Sequence, residues 1–248
     1  MTNAGDYQML VAWANLLIGA ITLIIASISL RGYLGVKNWK SLFLAIAFLI
    51  ISFSSIVYIP QAAGITQWST SLPGPGSGNG QVLSIFITIS QSVAFIFLAA
   101  IYVDEQRVHT IELSRAQIDA LSVLFAITLV AFSYIGIKSA YYFPFGLLVL
   151  VTFIFAAIST LLLLLIVVSL FSYWRENDDS SILITLTGFV FILIYEIFTI
   201  LSFDQPFLAW LNAVMNGQAE LFVAVFSLVG YAFFLFVIIR LRVRYGRD

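Results

Sequence analysis

One carboxylate stands apart from the rest. Glu196 lies inside the apolar run ILITLTGFVFILIYEIFTIL (182–201), with no basic residue between Arg175 and Arg240. A charge in such a run costs several kcal/mol unless it is paired. Three arrangements would remove that cost. Glu196 can be protonated and donate a hydrogen bond to Gln91 or Asn15. It can pair with Lys138, the nearest basic candidate in depth. Or it can meet a cation, a ligand or a partner subunit. Its chemistry is therefore hydrogen bonding, ion binding or proton relay.

Little else in the chain could do chemistry. There is no Cys, which removes thiolate nucleophiles, iron–sulfur ligation and Cys-zinc sites. The single His, His109, cannot by itself hold a haem or a transition metal. No cofactor and no metal is expected. The run GPGSGNG (74–80) lacks the Lys-Ser/Thr end of a phosphate-binding loop and reads as a flexible linker. The adjacent Asp178 and Asp179 form a small acidic patch with too few ligands for a cation site.

Other polar groups fall in apolar segments at helical spacing. Ser84, Thr88, Gln91, Ala99 and Tyr102 share one face, interrupted by Phe95. Glu220, Ala224, Ser227 and Tyr231 share another. Thr185, Gly188, Tyr195, Glu196, Thr199 and Ser202 fall within an arc of roughly 120°. In the first segment Ala12, Gly19 and Ala26 recur every seven residues, with Asn15, Thr22 and Ser29 on the neighbouring line. Small and polar residues are what membrane helices use to approach one another, so this seam should face protein.

The elements that must position these groups follow from composition. Of 248 residues, 62% are hydrophobic and 9% charged, with a net charge of −1; mean hydropathy is +1.07. Soluble domains carry about 25% charged residues. A soluble globular domain and a disordered chain are both excluded. The near-neutral charge argues against a nucleic-acid partner. The expected surroundings are a lipid bilayer.

A spanning helix needs about 20 mostly apolar residues. Seven segments qualify, at roughly 9–30, 41–63, 82–103, 120–137, 146–171, 182–203 and 221–239. They are too long for barrel strands, and a lone strand cannot satisfy its backbone in lipid. Ten of the eleven basic residues fall on one face of this arrangement, and only Lys138 on the other. The positive-inside rule then puts the N-terminus outside and the C-terminus in the cytoplasm. The expected fold is thus all-α: a polytopic integral protein of the cell membrane, a seven-transmembrane-helix bundle in one domain over residues 1–248. No basic leader precedes the first run, so it is expected to be retained as an anchor. The tail after the last span is short, and no soluble output domain is expected on it.

The connections carry a few signals. Ser114 and Gln117 form a possible capping box for the fourth span, and Arg115 and Asp119 an i,i+4 pair. Asp204, Pro206 and the spacing of Phe207, Leu208, Leu211, Val214 and Met215 predict a short amphipathic helix with Trp210 at headgroup level, stopped by Asn216-Gly217. It would be an interfacial anchor or, more sharply, a lid. Pro60 predicts a kink in span two. The apolar run 161–168 marks span five as the most lipid-facing helix.

Counting about 1.5 Å per residue, Asn15, Gln91, Glu196 and Ser227 all lie roughly 10–14 Å below the outer surface. Tyr58, Pro60 and Gln61 lie at a similar depth. If spans one, three, six and seven are neighbours, a polar pocket of Glu196, Gln91, Asn15, Ser227, Thr199 and Tyr195 results. The bland alternative is that these groups only tie helices together. The sequence favours a non-catalytic membrane protein, an accessory subunit of a larger complex or a sensor-like module, with other membrane subunits as possible partners and an unknown ligand. A small transporter or proton/ion pathway using Glu196 is the alternative. An enzyme has thin support, since Glu196 would be its only acid.

Overall fold

A computed structural model of the chain describes residues 4–63, 78–104, 146–202, 204–215 and 218–245. Among them there is no strand. The helices are α1 (Ala4–Val36), α2 (Trp39–Ser54), a 3₁₀ turn (Ser55–Tyr58), α3 (Ile59–Ala62), α4 (Gly78–Asp104), α5 (Gly146–Asn177), α6 (Ser180–Leu201), α7 (Gln205–Val214) and α8 (Ala219–Tyr245). Among the described residues four stretches are long and apolar enough to cross a membrane: Gln8–Val36, Leu150–Asn177, Ser180–Leu201 and Ala219–Arg240. Trp39–Ser54 and Phe86–Tyr102 are shorter apolar helices. The expected fourth span (120–137), Lys138, His109 and the capping-box residues Ser114 and Gln117 lie outside the described residues.

Among the described residues six helices close a ring. α1 packs on α2, α2 on α4, α4 on α5, α5 on α6, α6 on α8, and α8 returns to α1. All six feed one core, through residues such as Ile25, Phe48, Phe95, Leu163, Phe189 and Tyr231. Outward faces carry large apolar side chains, among them Leu10, Trp13 and Leu17 on α1, Leu165 and Phe171 on α5, and Phe236 on α8. So much exposed apolar surface fits a lipid surround. Span five, expected to face lipid most, shares with the last span the least buried apolar window of the four, yet it still packs one side into the ring. Leu163 and Ile166, inside its uniformly apolar run, are fully buried while Leu165 is exposed. A helix apolar all round does not reveal from sequence which side it buries.

Two connections share one construction. Lys37 and Asp178 each follow a long helix with a left-handed backbone, at φ 57° and 46°. Their N–H groups return to Tyr33 O at 2.7 Å and Trp174 O at 2.8 Å, ending α1 and α5. The next residue in each case starts the following helix. Asn38 accepts from Lys40 N at 3.0 Å, and Asp179 from Ser181 N at 2.8 Å. The acidic pair 178–179 is thus a C-cap followed by an N-cap.

Span two does not run as one α-helix. The α-helix stops at Ser54, and a 3₁₀ turn precedes Pro60. Proline has no N–H and crowds the carbonyl four residues back, so the ladder must change just before it. Ser54 and Ser55 both donate to Ile51 O, at 2.8 and 3.1 Å. α4 starts at Gly78, four residues before the expected boundary, so the last part of the glycine-rich linker is helical. The short helix α7 forms as predicted, with Asp204 at the N-cap position but no side-chain capping bond there. Leu211 is its buried anchor, while Trp210 and Val214 are exposed.

Small residues set the closest approaches. A Cβ on Gly19 of α1 would stand 2.7 Å from Ser55 Cβ. Between α4 and α5, Ser92 Oγ lies 2.7 Å from Ser159 Oγ and 2.9 Å from Phe155 O.

Candidate functional site

The site begins with the pairing of α6 and α8. Phe198 lies 5.9 Å from Phe222, Phe191 lies 5.8 Å from both Phe226 and Phe233, and Phe189 lies 4.5 Å from Phe234. Rising residue numbers on α6 thus meet falling ones on α8, and the helices are antiparallel. Helical side chains tilt toward the N-terminus of their own helix. Glu196 of α6 and Tyr231 of α8 therefore lean toward each other from different levels. They come within electrostatic range, and Tyr195 joins them.

Two further elements complete the cluster. Tyr58, at the end of the 3₁₀ turn, lies within electrostatic range of the Tyr195 hydroxyl. The side chains of Gln91 on α4 and Thr199 on α6 reach the same hydroxyl as hydrogen-bonding partners. Thr199 Oγ1 also lies 3.0 Å from Tyr195 O. The backbone change ahead of Pro60 is what places Tyr58: it packs with Ala12, Ala62 and Ile87, one turn of α4 above Gln91.

Burial here is nearly complete. Glu196 is 2% exposed, Tyr231 1% and Tyr58 3%. Glu196 Oε1 is buried and has no hydrogen-bond partner among the described residues. A buried carboxyl oxygen left without a partner carries the full cost of its lost water.

The expected pocket residues separate into two groups. Glu196, Tyr195, Thr199 and Gln91 come together. Asn15 is buried, but its Nδ2 donates to Val11 O at 2.9 Å, within its own helix. It does not give Glu196 Oε1 a hydrogen bond. Ser227 is buried on α8, one turn from Tyr231. The site instead includes Tyr58 and Tyr231. Both stand on faces or at depths visible in the sequence, but tyrosines are common in apolar spans, and only the ring of helices brings Tyr231 into range of Glu196 and Tyr58 into range of Tyr195.

The seam residues Ala12, Gly19, Ala26, Asn15, Thr22 and Ser29 are all buried. Gly19 meets Ser55, and Thr22 Oγ1 donates to Ile18 O at 2.8 Å.

Among the described residues no group of three or more His, Cys, Asp or Glu could hold a metal ion. The donor set is one carboxyl, one amide, one threonine hydroxyl and three phenols. It can hydrogen-bond, accept a cation or pass a proton. Comparison with protein-family models, with curated proteins and with solved structures finds no match to this chain.

Proposed function

We propose that the protein is a non-catalytic, multi-pass protein of the cell membrane with seven spans, its N-terminus outside and its C-terminus in the cytoplasm. It keeps a polar binding site in the outer half of the bundle. It acts as an accessory subunit of a membrane complex or as a sensor-like module that passes its state to a partner. One observation carries the site: the buried Glu196 Oε1 has no hydrogen-bond partner among the described residues, and it lies in range of Tyr195 and Tyr231, with Gln91 and Tyr58 reaching Tyr195 in turn. A group kept only to tie helices would have its bonds made, as Ser92 and Ser159 do. Glu196 instead offers a free acceptor where a free acceptor is costly.

Extraction in mild detergent followed by native sizing tests the assembly. Copurification with other membrane proteins at fixed stoichiometry is the expected result for a subunit. A clean monomer shifts the weight to a self-contained site. Protease added to intact cells should leave the Arg-rich tail uncut, and cleavage there would reverse the topology.

The same unpartnered oxygen favours a second reading, a small transporter or proton/ion pathway. It requires that Glu196→Gln abolish transport in proteoliposomes while the protein stays folded. Transport at the wild-type rate in that variant would eliminate it.

A further inference from the structure

We infer that the ligand of the Glu196 site is an organic ammonium ion, a primary amine head on a small apolar body. The inference rests on the cluster being a binding site. The composition of the site narrows the ligand class in steps. A carboxyl at the centre disfavours anions. A hard dication takes six or more oxygen ligands, and a lone carboxylate leaves one of its two charges unbalanced; among the described residues no group of three or more acidic or imidazole side chains could hold one. An apolar ligand would leave Glu196 Oε1 as unsatisfied as it is now.

A primary ammonium answers each feature. It brings three N–H donors and no acceptor. One donor reaches Glu196 Oε1, and the charge-assisted bond is stronger for being shielded from water. The phenol oxygens of Tyr195 and Tyr231, the two side chains in electrostatic range of Glu196, supply acceptors for the others. Aromatic rings beside a carboxyl also attract the positive head through their π faces. The surrounding core, with Phe48 5.8 Å from Phe234 and 6.3 Å from Tyr231, is suited to an apolar body rather than a polar one.

The test uses the full chain in mild detergent and three additives at matched ionic strength: n-butylammonium chloride, n-butanol and sodium chloride. The expected result is a saturable rise in melting temperature with n-butylammonium, through the tens-of-millimolar range, and none with the other two. Glu196→Gln should weaken that response by more than about tenfold. A wild-type measurement runs beside it and does not depend on the variant folding. n-Butylammonium should shield Glu196 from a hydrophobic carbodiimide, read as loss of the mass-labelled peptide.

If n-butanol stabilises and shields while n-butylammonium does neither, the ligand is a neutral donor. The ammonium assignment is then overturned and the binding site stands. If neither additive shifts the melting temperature or shields Glu196, the assignment and the binding site both fall.

Discussion

Gly188 of α6 and Gly230 of α8 meet backbone to backbone. A Cβ on Gly230 would stand 2.8 Å from the Gly188 carbonyl oxygen and 2.6 Å from Ile192 Cγ1. One on Gly188 would stand 3.0 Å from the Gly230 carbonyl oxygen. Without a hydrophobic drive between helices in lipid, such approaches are where van der Waals packing gathers. The contact also fixes the register that brings Tyr231, the next residue, into range of Glu196, eight residues along α6. Gly230→Ala should destabilise the protein by about 1–3 kcal/mol, the usual cost of overpacking, seen as unfolding at lower denaturing-detergent fraction. Gly188→Ala should act in the same direction.

The turn at Asp178 makes a prediction of opposite sign. Its left-handed backbone is strained for an L side chain and free for glycine. Asp178→Gly should raise stability by about 0.5–1 kcal/mol, with the gain in lost strain partly offset by a more flexible unfolded chain. Lys37→Gly should gain less, because it also removes the Lys37 ammonium from 5.3 Å above the Tyr33 ring. Thermal unfolding of both variants against wild type checks the order.

The helices themselves were legible because apolar runs near 20 residues have few alternatives. Their ends were less so. α1 reaches Val36, past the charged Arg31, since a helix need not stop where the bilayer does. Nothing local marks Lys37 and Asp178 as left-handed, for glycine or asparagine is the usual signal there. Glu196 was visible as a carboxylate in the wrong solvent, and Gln91, Tyr195 and Thr199 followed from depth and helical phase. Asn15 was placed by depth alone, and its partner lies elsewhere: an amide on a helix can satisfy itself four residues back, and sequence does not show that it does. Tyr58 was the hardest to place, because its direction depends on a 3₁₀ turn set by Pro60.

Ser92 and Ser159 test how much polar ties contribute. Their hydroxyls lie 2.7 Å apart between α4 and α5, and both sit near Phe155 O. Interhelical hydrogen bonds in membranes average about 0.6 kcal/mol. A double-mutant cycle of Ser92→Ala and Ser159→Ala should give a coupling of about that size, and well under 2 kcal/mol. A larger value would mean that these two hydroxyls hold the α4–α5 face by themselves, against the close packing around them.

Glu196 should behave in the reverse sense to a structural tie. Its Oε1 has no hydrogen-bond partner among the described residues, so the acid adds cost to the unliganded fold. Glutamine keeps the shape, removes any charge, and adds an amide donor toward the phenol oxygens of Tyr195 and Tyr231. In the absence of ligand Glu196→Gln should therefore melt at or above wild type, with a gain of about 1–3 kcal/mol, the usual penalty of an unsatisfied buried group. A buried carboxylate held by a charged partner would give the opposite, a loss of about 3–5 kcal/mol from the charge left behind. The sign of the change thus separates a carboxyl kept free for something that binds from one already paired within the bundle, and ordinary thermal unfolding reads it.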